Sequence, residues 1–282
     1  MNSLLFSLIL SMEIAVACLL SGKLLIHYFQ LESYQFPGYF RTIRRNLLKA
    51  IIPGLLLCVL QIITFLLFFR LLNMPEWFSL TAAGIIIIAG GYLIGKFTSD
   101  KKAKKPLAYT SRIKRLYLIS FLILTIILFL LSRSVSSNDV FVMRNRFAVA
   151  AILFFPAFLP LWIAFCGLLA WPVEKIISEM YFRDAQRILK SRKDLIKIGI
   201  TGSWGKTSVK FILGTILEEK YHTLITPASY NTPMGVTKVI RTRLEPSHRV
   251  FIAEMGARHV GDIKEMCRLV HPPIGILTSD GP

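Results

Sequence analysis

The sequence is poor in acid: 16 Asp and Glu stand against 34 Lys and Arg over 282 residues, and more than half of the chain is apolar. A chain both basic and apolar points to a membrane protein with positively charged loops, and away from a nucleic-acid binder. Cysteine is scarce too. Cys18, Cys58, Cys166 and Cys267 show no paired spacing, and three of them sit in apolar runs, which excludes a disulfide framework or a zinc cluster and leaves packing as their role. The first apolar run has no basic segment ahead of it and no small-residue cleavage site behind it, so a retained span is expected rather than a signal peptide.

What the chain has in abundance is long apolar runs. They predict five spans: Leu4 to about Ile26, Ala50 to Phe69, Trp77 to Ile94, Leu116 to Leu131, and Phe147 to Trp171, each about long enough at 1.5 Å per residue to cross the hydrocarbon layer. The second and third are joined by so few residues that they should form a hairpin. Pro156 and Pro160 should kink the fifth, which a bundle tolerates. Glu13 falls within the first span, and a carboxyl there is a functional candidate by default, or else a bundle-facing neutral acid.

Loop charges set the orientation. Lys23, Arg41, Arg44, Arg45, Lys49, Lys96, Lys101, Lys102, Lys104, Lys105, Arg112, Lys114 and Arg115 fall on one side; Arg70, Arg133, Arg144 and Arg146 fall on the other. The bias predicts an N-terminus outside and a C-terminal part facing the cytoplasm. The run from Lys101 to Lys105 reads as a topology determinant attracted to acidic headgroups, or as a specific anionic-lipid site. The expected architecture is a transmembrane helical domain (1–172), an amphipathic linker helix (173–194) and a C-terminal α/β domain (195–282). Short apolar runs alternate there with helical patterns, the signature of a parallel sheet covered by helices.

Within this last domain the run from Leu195 to Ile200 reads as a buried strand. Thr201-Gly202-Ser203-Trp204-Gly205-Lys206-Thr207-Ser208 follows, opening onto an amphipathic helix. Successive amides in such a turn make a concave anion site at a helix N-terminus. Lys206 adds a charge for the outer phosphates of a nucleotide triphosphate, and Thr207 a hydroxyl ligand for Mg²⁺. The general phosphate-loop pattern wants a glycine five residues before Gly205, where Ile200 stands, so this is a shorter form; a helix-opening turn with a solvated lysine is the alternative. Glu254 ends a second buried strand, Val250 to Ala253, where a carboxylate can complete the shell of a magnesium ion.

Thr201-Gly202-Ser203-Trp204-Gly205-Lys206-Thr207-Ser208-Val209-Lys210, together with Ser229-Tyr230-Asn231-Thr232-Pro233-Met234-Gly235-Val236 and Ala253-Glu254-Met255-Gly256-Ala257-Arg258-His259-Val260-Gly261-Asp262-Ile263, resembles the central ATP-binding domain of the Mur ligases. They are most similar to the branch that joins D-alanyl-D-alanine to UDP-N-acetylmuramoyl-tripeptide. His27-Tyr28-Phe29-Gln30-Leu31-Glu32-Ser33-Tyr34 resembles a membrane-anchored branch. The resemblance implies an ATP-dependent amide ligase working through an acyl phosphate in cell-wall precursor synthesis. It makes Lys206 and Glu254 the catalytic residues. ATP is expected on Gly202, Ser203, Trp204, Gly205, Lys206, Thr207 and Ser208, with Mg²⁺ on Thr207 and Glu254. Asn231 and Thr232 match a segment lining the reacting region, or else form a turn before a helix. His259 is expected at the surface.

The family pattern continues beyond Pro282, through a histidine, a carbamylated lysine and a further domain. The chain as given is therefore expected to be a fragment, not competent alone. Expected partners are the lipid bilayer, a cell-wall precursor and other cell-wall synthesis proteins, with the protein in the cytoplasmic membrane. A polyglutamate-synthase-like ligase and a non-catalytic nucleotide-binding scaffold remain as alternatives.

Overall fold

The computed structural model describes residues 3–68, 75–99, 106–135, 143–227, 230–257 and 260–279. The chain divides into two compact units, residues 1–172 and 173–282. Among the described residues, five helices are long and apolar enough to cross a membrane.

The first unit is helical. Helix α1 spans Ser3–Ser21 and α2 spans Lys23–Leu31, so the first apolar run is broken at Gly22 instead of continuing to Ile26. Helix α3 covers Phe36–Arg45, α4 Leu47–Leu66, α5 Glu76–Thr98 and α6 Ser111–Val135. The fifth run is divided: α7 (Met143–Phe154) gives way to a 3₁₀ turn at Phe155–Phe158, and α8 resumes at Leu159. Pro156 lacks the N–H that a continuing α-helix needs. Helix α8 then runs through Pro172 to Ser191, so the expected linker from Val173 is not a separate helix. The run from Lys101 to Lys105 and Arg70 lie outside the described residues.

Small residues set the closest approach inside this unit. A Cβ on Gly91 of α5 would lie 2.7 Å from the carbonyl oxygen of Ala17 on α1, and one on Gly84 would collide with the carboxyl of Glu13. Only a glycine lets two helix backbones meet so closely. Buried polar ties join distant helices. Tyr39 donates from its hydroxyl to Pro160 O at 2.9 Å, and Trp162 Nε1 donates to Ser120 Oγ at 2.7 Å.

The second unit holds a four-stranded parallel sheet. Its strands are β1 (Ile196–Thr201), β2 (Thr223–Ile225), β3 (Val250–Glu254) and β4 (Ile274–Leu277), in the order β2-β3-β1-β4. Helices α9 (Lys206–Glu218), α10 (Pro233–Arg243) and α11 (Asp262–Val270) follow β1, β2 and β3. Side chains alternate across a strand, and β3 divides its residues accordingly. Phe251 and Ala253 pack with Val236, Val239 and Ile240 of α10, Met266 and Leu269 of α11, and Phe182 and Ala185 of α8. Val250 and Ile252 pack with Ile198 and Ile200 and with Val209, Leu213 and Leu217 of α9. Glu254 has the parity of Val250 and Ile252, and this phase aims its carboxyl at α9.

Candidate functional site

The site lies at the carboxyl ends of β1 and β3, neighbours in register, with Ile200 opposite Glu254. In parallel α/β sheets ligands gather at that edge. The turn after β1 requires its glycines: Gly202 has φ +142° and Gly205 φ +79°, a region other residues enter only under strain. Gly205 caps α9, and the amides of Lys206, Thr207 and Ser208 form the first helical turn, where no earlier carbonyl of the helix can take them. The turn is tied to the end of β4: Ser203 N donates to Ser279 O and Trp204 N to Ser279 Oγ, both at 2.9 Å, while Thr278 Oγ1 donates to Trp204 O. The Trp204 ring is exposed. Lys206 donates from Nζ to Gly202 O and to Ser203 O, folding its charge over the turn's own carbonyls.

Glu254 is buried, yet its carboxylate is fully engaged. Oε2 accepts from Lys210 Nζ at 2.8 Å and from Thr207 Oγ1 at 3.1 Å, and Oε1 accepts from Asn231 Nδ2 at 3.2 Å. Its backbone N–H donates to Thr226 Oγ1. Burial by itself pushes this carboxyl up, but the hydrogen bond and charge of Lys210 and the bonds from Thr207 and Asn231 outweigh it, holding the group below the usual carboxylate range. The Lys210 side chain is 0% exposed, and that of Glu254 is 2% exposed. Removing one member of such a pair strands the other's charge, at a cost of about 3–5 kcal/mol.

Of the residues singled out in the sequence, the structure brings Thr207, Glu254 and Asn231 into direct contact, with Lys206 one position before Thr207. Thr232 goes elsewhere: its hydroxyl accepts from Gly235 N at 3.2 Å and caps α10. Ser208 is exposed on the first turn of α9. Ser229, Arg258 and His259 lie outside the described residues. Lys210 ends the segment that carries the resemblance, but the sequence alone assigns it no role. Its signal was available: it stands three residues after Thr207 and on the same helical stripe as Gly214 and Leu217, which faces the sheet.

Among the described residues there is no group of three His, Cys, Asp or Glu side chains able to hold a metal ion. The donors that do converge, a threonine hydroxyl and a carboxylate, are the hard oxygens magnesium takes when the rest of its shell is water and phosphate. The helix N-terminus and the Lys206 ammonium supply the matching positive field for an anion.

A parallel sheet covered by helices, with a glycine turn between the first strand and its helix, defines the second unit as an α/β domain. Its sequence narrows this further: residues 200–282 match the Mur ligase middle domain. Curated relatives include UDP-N-acetylmuramoyl-tripeptide--D-alanyl-D-alanine ligases. The Treponema pallidum protein is 33% identical over 31% of this chain and 19% of its own length. That of Synechocystis is 37% identical over 30% and 18%, and that of Escherichia coli 34% identical over 29% and 18%. A solved ligase from Acinetobacter baumannii, UDP-N-acetylmuramoylalanyl-D-glutamyl-2,6-diaminopimelate--D-alanyl-D-alanyl ligase, aligns at a TM-score of 0.34 and 30% identity, covering 36% of this chain and 22% of that one. The chain spans about a fifth of the length of the curated relatives it matches.

Proposed function

We propose that this protein is an ATP-dependent amide ligase of the Mur type, anchored in the cytoplasmic membrane and acting on a peptidoglycan precursor. The observation that carries the reading is the 3.1 Å contact between the Thr207 hydroxyl and the Glu254 carboxylate, beside a helix N-terminus headed by Lys206. In this reading the amides of the first turn and the Lys206 ammonium grip the β- and γ-phosphates of ATP, a point charge and a dipole field acting together. Thr207 and Glu254 would hold Mg²⁺, which supplies neutralisation of phosphate charge when bound. The substrate carboxylate attacks the γ-phosphorus and ADP leaves; an amine then attacks the acyl carbon and releases phosphate. What the protein contributes is position and charge, and Asn231 keeps the Glu254 carboxylate from turning.

Binding of ATP in the presence of Mg²⁺, measured on the full chain in detergent micelles, tests the site. Lys206→Ala and Glu254→Ala are each expected to weaken it by at least about tenfold, the scale of one charge-assisted contact. Unchanged affinity in both variants refutes the assignment.

The membrane half of the reading is supported by the five long apolar helices and by the loop charges. It places the second unit in the cytoplasm, where ATP is. Cys267 is exposed, whereas Cys18, Cys58 and Cys166 are buried, so one thiol reports the compartment. A membrane-impermeant maleimide is expected to spare Cys267 in intact cells and to label it after permeabilisation. Labelling of intact cells overturns the orientation.

A further inference from the structure

A lysine with no exposed surface is rare unless something holds its charge. Lys210 is such a residue, and what holds it is Glu254, the carboxylate offered above to a divalent cation. Its ammonium lies 2.8 Å from the same oxygen, Oε2, that receives the Thr207 hydroxyl. A monovalent cation thus already stands at the oxygen that the proposed metal needs. The place is built by the fold: the parity of β3 turns Glu254 toward α9, and Lys210 lies one turn beyond Thr207 on the face of α9 that meets the sheet. The ring of Phe211 lies 4.8 Å from the same ammonium, adding a weak attraction on another side.

The geometry points to Lys210 as a built-in counter-ion of Glu254, suppressing divalent-cation binding by the nucleotide-free site so that the metal enters with the nucleotide triphosphate. This rests on the nucleotide site proposed above. The physical cause is charge. Glu254 alone would present a full negative charge, desolvated and attractive to any divalent cation. With Lys210 attached the pair is neutral, and Lys206, on the turn that precedes Thr207, adds positive charge, so a bare dication meets no net attraction. A nucleotide triphosphate reverses that balance by bringing its own negative charge, which draws the metal to the Thr207 and Glu254 oxygens while Lys210 keeps Glu254 aimed. The consequence is order. Metal binding and nucleotide binding become coupled, and the empty site is not filled by stray divalent ions. Lys210 is a positioning residue here, acting through Glu254.

Titration of the nucleotide-free full chain with Mn²⁺, followed by electron paramagnetic resonance of the free ion, reads this without any turnover. The wild type is expected to bind weakly. Lys210→Met, which keeps the apolar stem and removes the charge, is expected to bind Mn²⁺ at least about tenfold more tightly, and Glu254→Gln added to it is expected to abolish the gain. Lys210→Arg should behave as the wild type. Lys210→Gln, which retains a donor to the carboxylate, serves if the methionine variant does not fold, with the same expectation. A folded Lys210→Met or Lys210→Gln protein with unchanged or weaker Mn²⁺ affinity overturns the proposal, as does tight Mn²⁺ binding by the wild type. ATP binding by the wild type is measured in parallel: its absence, with the Mn²⁺ results as expected, refutes the nucleotide site and leaves the counter-ion standing.

Discussion

Thr207 Oγ1 and Glu254 Oε2 meet at 3.1 Å although 47 residues separate them in the chain. One sits on the first turn of α9 and the other at the last residue of β3, and only the parallel pairing of β1 with β3 brings the two ends together. Thr207→Ala removes the hydroxyl from both its roles, as donor to Glu254 and as candidate metal ligand, and is expected to weaken Mg²⁺-dependent ATP binding about tenfold. Thr207→Ser keeps the oxygen and should stay within a few-fold of the wild type by the same titration.

Gly202 is expected to be intolerant of any side chain. Its φ of +142° already excludes most residues, and an added Cβ would stand 2.2 Å from Thr278 Oγ1 and 2.9 Å from Ser279 N. Gly202→Ala should therefore cost about 1–3 kcal/mol in chemical denaturation of the second unit, the scale of one strained backbone position. Adding Thr278→Ala is not expected to rescue it, because the Ser279 backbone remains in the way.

Helices α1 and α5 should be pushed apart by bulk at their contact. At Gly91 the nearest atoms to an added Cβ belong to the Ala17 backbone, which cannot turn aside as a side chain can. Gly91→Leu is expected to lower the stability of the detergent-solubilised protein by about 1–3 kcal/mol, the usual range for overpacking. Thermal unfolding compared with an exposed control, Leu118→Ala, checks it.

The pair His222 and His248 predicts a pH dependence. The rings stack at 4.1 Å, and His248 Nδ1 accepts a hydrogen bond from Glu245 N, so it must be unprotonated to do so. Burial, and then the neighbouring His222, push His248 below its ordinary value of 6.5. A folded-state value below the unfolded one means that its contribution is whole above about pH 6.5 and is lost as the pH falls from there through the folded value. Stability of the second unit is expected to decline across that interval, and His248→Asn should flatten the slope. An unchanged slope in denaturant melts between pH 7.5 and 5 tells against it.

Much of the fold was legible from local pattern. Strands alternating with amphipathic helices announced the parallel sheet, because the period of the apolar residues is a local property. The buried strand read from Val250 to Ala253 is β3, one residue longer in the structure. Element ends were less legible. The break at Gly22 is invisible to a count of apolar residues, since a glycine reads as part of a hydrophobic run whether or not the helix bends there. Pro172 marks the boundary between the two compact units, yet α8 continues through it to Ser191.

By itself the sequence determined which residues carry charge and hydroxyls, the period of each element, and hence the glycine turn ahead of Lys206 and the acid at the end of a buried strand. Only the tertiary structure decided that Lys210 is the partner of Glu254, that Asn231 turns toward the carboxylate, and that Thr232 serves a helix cap. The reason is physical. Propensity and period act over a few residues, whereas an ion pair forms where the phase of a strand and the phase of a distant helix happen to coincide. That coincidence is fixed by the packing of α9 on the sheet, and no local stretch of the chain contains it.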